Sequence, residues 1–362
     1  MRLHTLPGFL RQHLAASIGV AALALAVAWV IGGADVVEAL GSDPATTLGG
    51  LSSAIKEPQR FIFIVLNGIT LAGLFFIVAS GFTLIFGLMR VVNMAHGSLF
   101  LLAFYMADEL TEGGRICIFG CLPSTPETSW VAALFIACAI VGVIGLVMQQ
   151  GFLRWNQGQD LRQAIITIAI SLILADQMIE DYGGESSKQL NIPHVFDDVF
   201  PIYVYDMQYS LFRAFILGVA VFVGVALYLV LRRTRLGMVI RAGVDDRAMV
   251  SALGINIQLV FAAAFLAGAF LAGLGGIFAG TQTGLGPGED SNYLLSALIV
   301  VIIGGMGSLG GAAIGALALG LVDQLAPAYL PFDYSNYSIL LTLVLMVFIL
   351  AVRPLGLFGR PA

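Results

Sequence analysis

The sequence predicts an all-α, polytopic membrane protein of about 8–10 transmembrane helices, some of them broken or re-entrant. Three observations predict it. The 362-residue chain is 59% hydrophobic and only 11% charged, against about 25% charged residues in soluble domains. Apolar runs of around 20 residues recur along it, which is the signature of membrane helices. Its cations are also unevenly spread. With the N-terminus in the cytoplasm and the spans alternating, twelve of the 17 Lys and Arg residues fall on inside segments and five on outside segments. That is the positive-inside bias, and it sets both termini on the cytoplasmic side.

Residues 1–60 form a first unit, an apolar run from Leu14 to Ile31 followed by a polar linker with Pro44 and Pro58. A basic start before an apolar core fits a cleaved signal peptide or a retained span, and the length of the core favours retention. Residues 61–362 form the main membrane unit. Its first run, Phe61 to Leu88, is longer than a bilayer requires and is therefore tilted or broken near Ser80-Gly81. Polar residues from Arg90 to Ser98 then separate it from a short run, Leu99–Met106. This predicts a broken or re-entrant helix near 89–98. Residues 108–128 form an acidic loop in which Cys117 and Cys121 could pair if the loop is periplasmic and turns back on itself. Spans follow at Trp130–Met148, Leu161–Ile179 and Leu211–Leu231, with a long acidic loop over 180–210.

The longest polar, arginine-rich segment covers 232–256. Within it Asp245 can cap a short helix and Gly254 can end it. The next span, Leu259–Gly280, carries Ala264, Gly268, Ala272, Gly276 and Gly280 at intervals of four. Such a stripe lets another backbone approach closely. A Gly/Pro/acid turn over 284–292 precedes a run from Leu294 to Ile303. A glycine-rich break over 304–311 leads into Ala312–Leu325, and the last run is Tyr337–Val352.

Several classes of chemistry are disfavoured. Neither Lys56 nor Lys188 sits in a phosphate-binding loop, so the chain does not hydrolyse ATP by that route. Two lysines are too few for a nucleic-acid surface, and four scattered histidines make no metal site. No cofactor motif is present. His96 and Ser98 resemble a catalytic pair only superficially, without a nucleophile elbow, so we do not expect an enzyme. Asp176 and Asp323 fall near outer span ends, where water reaches them, which disfavours proton coupling.

The polar groups nearest mid-membrane are neutral: Asn67, Thr70, Asn93, His96 and Ser98, with Gly97 beside them. Gly304, Gly305 and Gly307 can free backbone carbonyls in the same way. Together these residues are candidates for a translocation pathway suited to a small polar or zwitterionic solute. The alternative is that they are interhelical glue. In the arginine-rich loop, Arg241, Asp245, Asp246, Met249, Leu253 and Gly254 form a candidate docking helix for a cytoplasmic partner. Contact with lipid headgroups is the competing reading.

The ordered motifs Asn67-Gly68-Ile69-Thr70-Leu71, Asn93-Met94-Ala95-His96-Gly97, Arg241-Ala242 with Asp246, Leu253-Gly254-Ile255-Asn256, Gly304-Gly305-Met306-Gly307-Ser308 and Arg353-Pro354-Leu355-Gly356-Leu357-Phe358-Gly359 carry a resemblance. From about Phe61 to Pro361 the chain resembles the LivH-type permease subunits of branched-chain amino acid ABC importers. The resemblance implies a multi-pass protein of the bacterial inner membrane, partnered by a second, LivM-like permease, two cytoplasmic ATP-binding subunits and a periplasmic solute-binding protein. It assigns the arginine-rich loop to ATPase docking and the 93–97 break to the solute path. Branched-chain or other neutral amino acids are the implied solutes, with urea, amides and small carboxylates as alternatives. The chain departs from the pattern in residues 1–58 and in Val250, which stands where a small residue is usual. An ion-coupled or passive transporter acting alone is the competing function.

Overall fold

The computed structural model describes residues 58–89, 92–116, 126–183, 187–193, 196, 199–202, 207–245, 247–329 and 338–359. The N-terminal span and linker, the Cys117–Cys121 pair and Asp246 lie outside these residues. In chain order the helices are α1 (Pro58–Met89), α2 (His96–Glu112), α3 (Trp130–Met148), α4 (Asp160–Tyr182), α5 (Leu211–Arg233), α6 (Arg235–Asp245), α7 (Arg247–Ala252), α8 (Ile257–Thr283), α9 (Glu289–Gly304), α10 (Leu309–Tyr329) and α11 (Ser338–Val352). A π-helical turn, Gln149–Leu153, and a 3-10 turn, Arg154–Asn156, continue α3. Between α4 and α5 the loop forms one antiparallel hairpin, β1 (Val199–Ile202) with β2 (Met207–Ser210).

Among the described residues six helices are long and apolar enough to cross a membrane: α1, α3 with its continuation, α4, α5, α8 and α10. The incomplete ones are α2, α9 and α11, of 17, 16 and 15 residues. Both expected breaks are present, at 92–95 before α2 and at 305–308 between α9 and α10.

The core forms around α1, α2 and α8. Nearly every side chain of α2 is buried, as expected of a helix that is apolar all round. In hydrocarbon, close backbone approach rather than water exclusion holds helices together, and the α8 stripe supplies it. A β-carbon on Gly268 would lie 2.8 Å from the Gly81 carbonyl oxygen, one on Gly276 would lie 1.9 Å from that of Phe100, and one on Gly280 would strike the Phe104 ring. On the outer flank Trp130 Nε1 donates to Thr281 Oγ1 at 3.2 Å, tying α3 to α8. Helices α4 and α5 bury few residues and turn apolar side chains such as Leu172 and Phe222 outward.

Of the two alternatives for the first span, tilted or broken near Ser80-Gly81, the break is absent; α1 runs unbroken for 32 residues. Ser80 bonds back to the Ile77 carbonyl at 2.8 Å, and Gly81 serves the crossing with α8 instead of a kink. The short helix expected between Asp245 and Gly254 is present as α7, and Asp245 itself is the last residue of α6. Thr234 opens α6, its Oγ1 accepting from the Gly237 amide at 3.2 Å. The six-residue α7 then ends before Gly254, which takes the left-handed conformation at φ 78° that glycine adopts freely.

A side chain at Gly276 forces the Phe100 backbone away, an overpacking cost of about 1–3 kcal/mol or more. Gly276→Val is expected to lower the amount of monodisperse protein recovered in detergent sharply. Gly218→Ala on α5, with open space around its β-carbon, is expected to leave recovery unchanged.

Candidate functional site

The chain leaves α1 and turns at 92–95. Asn93 Oδ1 accepts from the Ala95 amide at 3.2 Å and the Asn93 carbonyl accepts from the His96 amide at 3.2 Å. This local turn lets α2 begin inside the bundle. The His96 ring is fully buried, edge-on to Phe82 at 5.4 Å, with Nε2 3.1 Å from the Val78 carbonyl oxygen. A carbonyl only accepts, so Nε2 carries the proton and donates. Nδ1 is then the acceptor, and it has no partner.

Gly97 is where α2 meets α9. A β-carbon there would lie 2.2 Å from the Asp290 carbonyl oxygen, so the two helix starts touch backbone to backbone. Ser98 completes the junction. Its Oγ is 2.7 Å from Ser171 Oγ on α4 and donates to Asp290 Oδ2 at 3.1 Å. Ser98 therefore bonds to Ser171 and Asp290, while His96 Nε2 bonds to Val78. The two residues do not form a nucleophile–base pair. Beside this junction a cavity of about 20 Å³ is lined by Leu101, Tyr105, Ala175, Met178, Pro287 and Asp290, among others.

The other candidate pathway residues sit elsewhere. Asn67 accepts from Arg213 of α5, and Thr70 bonds to Tyr209 Oη of the hairpin and to the Leu66 carbonyl. These two tie α1 to its neighbours. Gly304, Gly305 and Gly307 lie at the far end of α9, roughly 21 Å along the helix from Asp290. There Gly304 packs on Gly311, Gly305 on Gly359 and Gly307 near Gly87. The C-terminal tail pairs with the same turn, Leu357 N to Ile303 O at 2.9 Å and Phe358 N to Gly304 O at 3.0 Å. The glycines let three backbone segments converge, and they do not join the 93–98 cluster.

In the arginine-rich loop Arg241 donates to the Leu231 carbonyl at 2.8 Å, satisfying the exposed C-terminus of α5. Met249 and Leu253 are 63% and 71% exposed and Val250 is buried. The larger residue at 250 thus anchors the loop from beneath while two apolar side chains face out.

At the other end of the bundle Lys188 forms an isolated bridge with Leu285 and pairs with Asp108 Oδ2 at 3.0 Å and Glu109 Oε1 at 3.1 Å. Partial burial alone would lower its pKa. Hydrogen bonds to Asp108 and Glu109, backed by their charges, outweigh that and hold it above the ordinary lysine value. The clamp fixes the loop over the ends of α2 and α8 that lie away from the arginine-rich loop.

Sequence reasoning missed Asp290, reading it only as part of a Gly/Pro/acid turn. The available signal was Pro287-Gly288 followed by Glu289-Asp290, the order of a helix start with acids in its first turn. Asp290 is 6% exposed, which the sequence alone does not reveal.

The family model described as the permease component of branched-chain amino acid transport systems matches residues 64–350. The high-affinity branched-chain amino acid transport permease LivH of Escherichia coli K12 is 28% identical over 314 residues, covering 84% of this chain and 98% of that protein. BraD of Pseudomonas aeruginosa is 27% identical over 314 residues, covering 85% and 98%. A probable LivH of Methanocaldococcus jannaschii is 26% identical over 307 residues, covering 82% and 92%. No solved structure matches the chain.

The Lys188 clamp makes a pH prediction. A raised pKa means that the stabilisation is complete below the ordinary lysine value, about 10.4, and is lost as pH rises through the folded value. Hydrogen exchange at the Leu285 amide is expected to show constant protection, relative to intrinsic exchange, across neutral pH. Lys188→Gln is expected to lose that protection at every pH.

Proposed function

The chain belongs to the permease-component family of branched-chain amino acid transport systems, and on that premise we propose that it is the membrane subunit of an ABC importer. Its solutes are branched-chain or other neutral amino acids, moved inward. The observation that carries this reading is the family match over residues 64–350, which takes in both helix breaks and the arginine-rich loop. The geometry supports it. Two incomplete helices, α2 and α9, meet N-terminus to N-terminus inside the bundle. Solute sites in transporters are commonly built from discontinuous helices of this kind.

We assign Asn93, His96, Gly97 and Ser98 to the solute path, with Asn67 and Thr70 holding its α1 wall in position. Gly304, Gly305 and Gly307 form the turn at which the path's inner end can flex. Residues 61–362 constitute the transport domain, and residues 1–60 are an addition to it. The cluster of Arg154, Arg232, Arg233, Arg241 and Arg353 supports a cytoplasmic location for that end and for both termini in the inner membrane. Energy enters from other chains. Of the two ATP-binding subunits, one docks on the 232–256 loop through Met249 and Leu253, with Arg241 bracing it and Asp245, Asp246 and Gly254 as further residues of the docking loop. A second permease subunit covers part of the exposed apolar helix faces, with lipid on the rest, and a solute-binding protein delivers from the acidic outer side.

Reconstitution tests the proposal. Vesicles holding this chain with its second permease and ATPases are expected to accumulate leucine only with ATP and the binding protein. The chain alone is expected to carry none; leucine flux without partners would favour a self-sufficient transporter. Met249→Asp and Leu253→Asp place a charge on the exposed apolar pair. Each is expected to cut uptake about tenfold or more while membrane insertion is retained, since central apolar anchors dominate docking energy. Unchanged uptake would refute the docking assignment.

A further inference from the structure

We propose that Asp290 receives the ammonium group of the amino acid in transit, with Tyr105 as the second ligand and Ser98 as the residue that orients the carboxylate. The inference rests on the importer reading above and adds to it a site for one end of the solute.

Asp290 lies in the first turn of α9, yet that turn is not at the membrane surface. It touches Gly97 at the start of α2, about ten residues or roughly 15 Å of helix below Asp108 and the Lys188 clamp. A carboxylate at this depth is costly unless it is compensated. Compensation by this chain is incomplete. Ser98 Oγ donates one hydrogen bond at 3.1 Å, and the α9 N-terminus adds its partial positive charge. Among the described residues no ion pair reaches Asp290; the pairs present are those of Lys188 with Asp108 and Glu109. A cation is the missing element.

The second, independent observation is Tyr105. Its side chain is 1% exposed, its hydroxyl has no hydrogen-bond partner, and it lines the same cavity as Asp290. Its ring is held flat against Tyr182, with centroids 5.2 Å apart and planes at 4°, so the hydroxyl is presented rather than swinging free. An unpaired buried hydroxyl costs stability and is kept where something intermittently fills it. The cavity, about 20 Å³, has room for one water-sized group. A primary ammonium is that size, carries three donors and no acceptor, and matches a carboxylate and a phenol whose residues line one space. The other side chains lining the cavity, Leu101, Ala175 and Met178 among them, are apolar. The remainder of the solute does not fit the cavity as it stands. The ammonium enters it only when α9 and α4 part, which is the state that ATP-driven opening would create.

The test uses the complete reconstituted importer and radiolabelled leucine, and it measures ATP hydrolysed per leucine delivered. Asp290→Asn keeps shape and hydrogen bonding but removes the charge. It is expected to retain ATP hydrolysis stimulated by the loaded binding protein while raising ATP per leucine about tenfold or more. A structural role alone would lose assembly and stimulated hydrolysis together. Should Asp290→Asn fail to assemble, Tyr105→Phe decides, because it removes only an unbonded hydroxyl: a rise of about threefold is expected, and an unchanged ratio overturns the proposal. Wild-type coupling in an assembled Asp290→Asn complex overturns it likewise. A wild-type complex that carries no leucine overturns the importer reading itself, and the ammonium site falls with it.

Discussion

At Gly276 a β-carbon would lie 1.9 Å from the Phe100 carbonyl oxygen, and at Gly268 one would lie 2.8 Å from that of Gly81. These two crossings fix α8 against α2 and α1. With no gain from excluding water inside a bilayer, such backbone contacts are the main means of holding helices in register. The remaining arrangement depends on them. Seating α2 beside α8 buries a helix too short to span alone. That in turn brings Gly97 to Asp290 and Ser98 to Ser171. Were α8 to carry ordinary side chains at its stripe, α2 could not sit at the centre and the junction of helix starts would not form.

The polar groups within the bundle divide into two sets. Asn67, Thr70, Ser80 and Thr281 have partners, and each either ties one helix to another or bonds back within its own turn. Among the described residues Thr83 Oγ1, Asn93 Nδ2, His96 Nδ1, Tyr105 Oη, Gln149, Gln163 Oε1, Gln282 Oε1 and Tyr329 Oη are buried with bonding capacity unused. These unused groups are spread over α1, α2 and the turn before it, the π-helical turn after α3, α4, α8 and α10. A buried polar atom without a partner costs about 1–3 kcal/mol, so a purely structural region would be expected to shed such groups. Three of them, on Asn93, His96 and Tyr105, lie on α2 or the turn before it, where the solute path is proposed.

How much of this was legible in the sequence follows from what each signal depends on. Spans and breaks were legible because hydropathy and helix interruption are local properties. The α8 stripe was legible for the same reason, and its partners were found where close approach requires them. The short helix before Gly254 was legible from its flanking Asp and Gly, while α6 before it was not, because its opening residue, Thr234, is a weaker cap. Whether the first span breaks at Gly81 was not legible, because a glycine looks the same in sequence whether it frees the backbone or admits a neighbour. Asn67 and Thr70 were grouped with His96 by polarity and depth, but Arg213 and Tyr209, more than a hundred residues away, occupy them. Asp290 lay hidden in a turn rich in Gly, Pro and acids. Only the packing of Gly97 against it shows that the turn dips into the bundle.

One helix joins the exposed loop to the junction. Helix α8 starts at the Asn256 cap, immediately after α7 and Gly254, and ends at Thr283, about 40 Å away. The turn that follows carries Leu285, pinned to Lys188, and then Pro287, Gly288 and Asp290. A force applied at Met249 and Leu253 therefore has a short covalent path through α8 to the carboxylate. Because α8 is bonded by glycine contacts to both α1 and α2, it cannot slide without moving Phe100 and Gly81 as well. Dense packing of this sort favours two discrete arrangements over gradual deformation. The Lys188 clamp holds the far end of α8, and its two carboxylate partners sit on α2. Helix α2 is thus gripped along its length by α8 and at one end by the clamp, so a shift of α8 carries α2 with it. The contact left to open is the one between those two helices and α9 with α4, which is where Ser98, Ser171 and Asp290 meet.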